Sequence, residues 1–227
     1  MSLLIRILKQ ICNINWIKTI YFNLKYLPLK KSIHLPVFIY NRTDLYKTKG
    51  RIILNVSPRL GLVKIGPHGL GTQDIKYSRT IWDVNGTLVI NGEVSIGRGS
   101  RICIDNDAIL TLGNGFTITG LSTIICQKAI TFGDDSLLSW DIQIMDTDFH
   151  RITDSNGETV NPPRPIHIGN HVWIGCRTTI LKGVSVADDV VISANSTITK
   201  NITDAHSVVG GIGNNVAVLK KDISWER

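Results

Sequence analysis

No apolar run in this chain reaches the roughly 18–20 residues of a membrane-spanning helix. The first 27 residues come nearest, and Arg6, Lys9, Lys18 and Lys25 interrupt them. Those charges also spoil a signal-peptide core, and no small-residue cleavage site follows. No run of five Lys or Arg exists, which argues against a nucleic-acid arm although the net charge is +7. The four cysteines (Cys12, Cys103, Cys126 and Cys176) form no Cys-x-x-Cys pair and no metal-ligand spacing. They read as reduced thiols at small inward sites, in a reducing compartment. Neither of the usual hydrophobic periods, 3.6 for a helix or 2 for a strand, governs the C-terminal half.

What is there instead is a beat of six. Ile168, Ile174, Ile180, Val186, Ile192 and Ile198 recur without a slip, each followed four residues later by Val172, Thr178, Val184, Val190, Ser196 or Ile202. A period of six fits short strands meeting at corners, three to a coil, as in hexapeptide β-helices. Upstream, Val84, Ile90, Ile96 and Ile102 keep the phase and Asp105–Ala108 break it. Leu112, Ile118, Ile124 and Ile130 resume it, and a two-residue shift gives Phe132, Leu138 and Ile144. Gly and Asn accompany the beat at positions where tight corners need positive φ. Residues 28–80, with strand-like pieces at 52–56 and 62–65, read as a first irregular coil.

Between Ile144 and Ile168 the phase survives a polar interior closed by Pro162, Pro163 and Pro165. An insertion of that length in a regular coil is an extruded loop and a functional candidate. Residues 1–30 form an N-terminal helical extension, residues 31–210 the β-helix with its loop at 146–165, and residues 211–227 a tail. Within residues 1–27, Leu4, Ile7, Leu8, Ile11, Ile14, Ile17, Ile20, Tyr21 and Leu24 recur at helical spacing. Two readings stand: a helix lying on an anionic membrane surface, or one packed on the body or a neighbouring subunit.

Pro165-Ile-His-Ile-Gly-Asn-His-Val-Trp-Ile-Gly175, Gly183-Val-Ser-Val186 and Ser196-Thr-Ile-Thr-Lys200 resemble the closing coils of the hexapeptide-repeat acyltransferases. The nearest likeness is to the galactoside/maltose/xenobiotic branch and its relatives that O-acetylate bacterial surface polysaccharides. The resemblance covers roughly residues 84–210. It implies an all-β, left-handed parallel β-helix, a homotrimer and acetyl-CoA bound in clefts between neighbouring coils, with no metal. The loop reads Asp146-Thr-Asp-Phe-His150, and Gly210-Gly-Ile-Gly213 and Ser193-Ala-Asn-Ser196 also depart from the usual family pattern.

Acyl transfer from a thioester to a sugar hydroxyl needs a base, and a neutral imidazole supplies one. Of six histidines only His150 lies in the extruded loop among carboxylates, and Asp146 or Asp148 would orient it. His167 and His171 read as solvated corner residues. By resemblance the backbone N–H of Cys176 meets the developing oxyanion, Ala194 lines the pantetheine path, Trp173 walls the acetyl pocket, and Lys182 and Lys200 pair with CoA phosphates. A thiol nucleophile at Cys176 is the competing role for that residue. Ser122, Lys128, Ser139, Trp140 and Asp141 are the candidates for the acceptor side. The function expected is acetyl-CoA-dependent O-acetylation of a sugar of a surface polysaccharide or its precursor. The enzyme would work in the cytoplasm, with peripheral contact at the inner membrane face open to it. The alternatives are N-acetylation of an amino sugar nucleotide, a zinc-binding carbonic-anhydrase-like coil, and a non-catalytic assembly module.

Overall fold

The computed structural model describes residues 11–68, 70–74 and 76–227. The first ten residues of the amphipathic N-terminal stretch lie outside the described residues. The chain opens on helices α1 (Trp16–Tyr26) and α2 (Leu29–Ser32) and then winds as a coil of parallel strands, three to a turn. The first turn is β1 (Val37–Ile39), β2 (Thr43–Thr48) and β3 (Arg51–Leu54), and the second β4 (Val63–Ile65), β5 (Thr80–Val84) and β6 (Thr87–Ile90). The third is β7 (Val94–Ile96), β8 (Arg101–Ile104) and β9 (Ile109–Leu112), and the fourth β10 (Phe116–Gly120), β11 (Thr123–Cys126) and β12 (Ala129–Phe132). The fifth holds β13 (Leu137–Trp140), β14 (Gln143–Met145) and, after the extruded loop, β15 (Ile166–Ile168). The sixth is β16 (Trp173–Ile174), β17 (Thr179–Leu181) and β18 (Ser185–Val186), and the seventh carries β19 (Val191–Ile192) and β20 (Thr197–Ile198). Strand β21 (Val208–Gly210) starts the last turn, and β22 (Ala217–Lys220) doubles back antiparallel to it.

Every third strand stacks on one of three faces. The first runs β1-β4-β7-β10-β13-β16-β19-β21, the second β2-β5-β8-β11-β14-β17-β20 and the third β3-β6-β9-β12-β15-β18. This is a parallel β-helix, and the six-residue beat is its inward column. Ile96, Ile118, Leu138, Ile174, Ile192 and Val209 are in register on the first face, and Ile102, Ile124, Ile144, Ile180 and Ile198 on the second. From Ile168 to Ile198 no residue of the beat is more than 5% exposed, and the companions Val172 to Ile202 are buried at the corners. The apparent two-residue shift at Ile130 and Phe132 has a simple origin. Both side chains point inward from one four-residue strand, β12, where alternate residues share a face. The break at 105–108 is a widened corner that puts Asp107 at φ +62°.

Corners are where the backbone is forced. Gly99, Leu121, Asp141, Arg177 and Asn195 hold positive φ at the first-to-second corner, and Gly115, Asp135, His171, Asp189 and His206 do so at the third-to-first corner. Asn114, Asp134, Asn170 and Asp188 knit the latter, each accepting from the backbone N–H of the preceding turn at 2.7–2.9 Å.

Both ends of the coil are covered, which protects open strand edges from pairing with another chain. At the start, Asn23 accepts from the Val37 N–H and donates to the Val37 carbonyl, while the Thr19 hydroxyl accepts from the Ile39 N–H. Phe22 plugs the opening edge-on against Trp82, 5.2 Å between centroids. At the other end the tail folds back along the third-to-first corner. Trp225 stacks on His171 at 4.1 Å and donates to its carbonyl, and Arg227 reaches the Gly115 carbonyl.

Candidate active site

The loop at 146–165 leaves the coil at the second-to-third corner, between β14 and β15. Its foot is fixed by Asp146, which is wholly buried and accepts from the backbone N–H groups of Gln127, Lys128 and Ala129 at 2.7–2.8 Å. This corrects the reading of Asp146 as an orienter of His150, because its carboxylate is spent on the corner of the turn below. Burial, and after it this same carboxylate, pushes the Cys126 thiol well above the usual thiol range. Next, the Thr147 hydroxyl donates to Gln127 and accepts from the Phe149 N–H. Phe149 is held at φ +63° with its ring more than half exposed, a conformation that bulky residues rarely adopt and that clusters at functional sites.

His150 follows immediately. Its N–H donates to the Asp148 carbonyl at 2.7 Å, and its imidazole is exposed and makes no hydrogen bond among the described residues. The ring borders a pocket of about 120 Å³ lined by Gln127, Thr147, Asp148, Thr159 and Pro163 among others. Asp148 touches other groups than the ring: Lys182 Nζ donates to its Oδ2 at 2.5 Å and Asn161 Nδ2 at 2.9 Å. These partners hold its carboxyl below the usual carboxylate range, the Lys182 contact first. Asn161 Nδ2 also donates to the His150 carbonyl, and Asn161 Oδ1 accepts from the Ile152 N–H at 2.6 Å. Asn161 thus binds the backbone of His150 and of Ile152 beyond it, and the carboxylate of Asp148 before it. The sequence marked it only as a polar loop residue, and the single available signal was its place just before the Pro162-Pro163 pair.

Lys182, which the resemblance pairs with a CoA phosphate, has a side chain only 12% exposed and bonded here to Asp148 and the Asn161 carbonyl. Lys200 is exposed and, among the described residues, bonds only the Asn214 carbonyl. Lys128, the loop with His150, Lys182 and Lys200 occupy the same corner on successive turns.

The other predicted residues sit elsewhere. Trp173 projects from the first face, 38% exposed, with Nε1 donating to Ser139 at 3.1 Å and Trp225 lying 5.9 Å away. Cys176 and Ala194 follow one another at the first-to-second corner, whose next turn below bears Trp140 and Asp141. The backbone amides of Cys176 and Ala194 donate to no described residue, although the Cys176 carbonyl accepts from Asn195. Ser122 is corrected as an acceptor contact: it is fully buried and bonds within its own corner, to Gly120 and Ile142. His171 is a corner residue paired with Asp189 at 2.8 Å, whereas His167 stands on strand β15 facing outward. Among the described residues no group of three His, Cys, Asp or Glu side chains is placed to hold a metal.

Residues 165–200 match the family model described as bacterial transferase hexapeptide (six repeats). Over 139 residues the chain is 32% identical to a polysialic acid O-acetyltransferase of Escherichia coli O1:K1 / APEC, covering 61% of this chain and 42% of that one. Over 93 residues it is 36% identical to the galactoside O-acetyltransferase of Escherichia coli (strain K12), covering 40% of this chain and 45% of the other. The chain therefore spans less than half the length of these curated relatives. The crystal structure of the polySia-specific acetyltransferase NeuO superposes with a TM-score of 0.51 at 22% identity, over 84% of this chain and 79% of that one. Repeat, coil and relatives agree: residues 165–200 carry hexapeptide repeats on a parallel β-helix, and the chain is similar to bacterial O-acetyltransferases.

Proposed function

We propose that this protein transfers an acetyl group from acetyl-CoA to a hydroxyl of a sugar, in a surface polysaccharide or its precursor, with His150 as general base. The observation that carries the reading is the way the fold presents His150. The loop at 146–165 leaves the coil, Asp146 fastens its foot, the Asp148 and Asn161 contacts hold the backbone at His150, and the imidazole is left unbonded beside a small pocket. A base must reach its proton, and a ring with no protein partner is free to take one from a substrate hydroxyl. The names of the relatives, which act on polysialic acid and on galactosides, support a glycan acceptor.

The donor side falls to Cys176 and Ala194, whose unpaired amides would meet the thioester oxygen and the pantetheine chain, with Trp173 as a wall. These groups lie at a different corner from His150, with the second face between them. Base and oxyanion donors therefore meet only between copies, which supports a homotrimer of left-handed coils with sites in the clefts. Lys128 and Lys200, exposed on the corner of His150, are placed for an anionic part of donor or acceptor. Trp140 and Asp141, beside Cys176 on the turn below, would line the acceptor side. The organisation is an N-terminal extension to residue 30, a β-helix with one working loop to residue 210, and a tail that closes the coil. The four free thiols fit a cytoplasmic site of action.

The test is acetyl-CoA turnover against a panel of mono- and oligosaccharides, following free CoA and the product. Acceptor-dependent release with an alkali-labile acetyl ester is the expected result. An alkali-stable amide would move the chemistry to nitrogen. Absence of both CoA binding and turnover would make the coil a scaffold and overturn the proposal.

A further inference from the structure

The polarity of α1 is the reverse of what a helix covering a protein core requires. At about 100° per residue, Thr19, Phe22, Asn23 and Tyr26 form one stripe and Ile17, Ile20, Tyr21 and Leu24 the opposite one. The inward stripe is half polar, because its task is to satisfy the open edge of β1, which Thr19 and Asn23 do with their side chains. The outward stripe is wholly apolar and exposed, Ile17 at 84% and Leu24 at 57%. Leu29 and Ile33 extend the patch at 69% and 67% exposure. The fold gains nothing from these six side chains, and contiguous exposed apolar surface marks a binding face.

Charge says what binds there. Ten of the 25 Lys and Arg fall in residues 1–51 beside a single acidic residue, Asp44, whereas the remaining 176 residues hold 15 basic against 17 acidic. Eight of those ten, from Lys18 to Arg51, lie on α1, α2 and the first turn, the end of the coil that α1 covers. Lys18 and Lys25, seven residues apart, share one flank of the helix, and Lys25 and Lys30 are exposed. A stripe of Ile, Leu and Tyr flanked by lysines, with no acid in the helix, is complementary to a surface that is apolar within and anionic at its boundary.

We propose that α1 and α2 dock the protein flat on an anionic lipid surface, the outward stripe entering the headgroup boundary and Lys25 and Lys30 meeting lipid phosphates. Among the described residues no helix is long and apolar enough to cross a membrane, so the contact is peripheral. The inference is independent of the transfer chemistry. It sets the coil end-on to the surface, with the His150 loop four turns away from it.

The experiment is co-sedimentation of the full chain with vesicles of phosphatidylcholine alone and of phosphatidylcholine mixed with phosphatidylglycerol, with subunit number measured by light scattering. Binding to the anionic vesicles is expected, weakened by added salt. The pair Ile17→Ser and Leu24→Ser should lose at least about tenfold in partitioning. Lys25→Glu with Lys30→Glu should lose about fivefold or more. Neither pair should change subunit number or melting temperature. Failure of the parent to bind anionic vesicles, or equal binding by the variants, overturns the proposal. A changed subunit number in the Ser pair with unaltered vesicle binding would assign the face to a second copy and overturn it as well.

Discussion

The turns from Ile168 to Ile198 and the loop at 146–165 sit side by side and are held together by opposite means. In the turns, each inward aliphatic stacks on the one below it, and the strands share parallel ladders. Order there is cooperative and hydrophobic, and no single polar bond is decisive. The loop buries almost none of its apolar side chains: Phe149, Ile152 and Val160 are each more than half exposed. Its shape depends on a few polar tethers, the carboxylate of Asp146, the amide of Asn161 and the Asp148–Lys182 pair. The coil can therefore be stable while the loop is tuned, and damage to one should be separable from damage to the other.

The sharpest break is a charge in the column. Ile180→Asp places a carboxylate at a fully buried site with no partner, costing more than about 4 kcal/mol and abolishing the cooperative thermal transition. Asp146→Ala comes next, since it strips three part-buried backbone amides of their shared acceptor and removes a wholly buried carboxylate. A loss of about 3 kcal/mol in denaturant unfolding is expected. Asn161→Ala tests the loop alone. Its partners are exposed, so stability should shift by under about 0.5 kcal/mol, while acetyl transfer should fall about tenfold as His150 loses its fixed direction.

The smallest effect concerns pH. The Asp148 carboxyl titrates lower in the folded protein than in the unfolded chain, so its tether is fully present above the ordinary carboxylate pKa of about 4 and is lost as pH falls through the folded value. Proteolysis of the loop should quicken on acidification below that point and not between neutrality and it. Lys182→Met should already be cut faster at neutral pH and lose most of the acid response.

Much of this contrast was written in the sequence. Six-residue spacing is imposed by three short faces and a shared interior, so the turns from 84 onward were readable, and the polar break at 146–165 stood out against them. The first two turns were harder, because their strands are unevenly spaced and, in the second, a long stretch separates β4 from β5 and hides the beat. Within the loop, the exposed position of His150 was legible from its place among polar residues. The roles of Asp146, Lys182 and Asn161 were not, because they depend on which turn lies below the loop and which lies above it. Ser122 misled for the same reason: a small polar residue at a corner looks alike in sequence whether it faces solvent or its own backbone. The fold-back of Trp225 onto His171 joins positions 54 residues apart and left no local trace.

The central claim is that the exposed, unbonded imidazole of His150 is the base for acetyl transfer. The most direct measurement is the rate of acetyl transfer to the best acceptor for His150→Ala against the parent, with folding checked by melting temperature. The account predicts a fall of about 10²–10⁴-fold in turnover with the melting temperature unchanged. A variant that is folded and transfers at the parent's rate would contradict it.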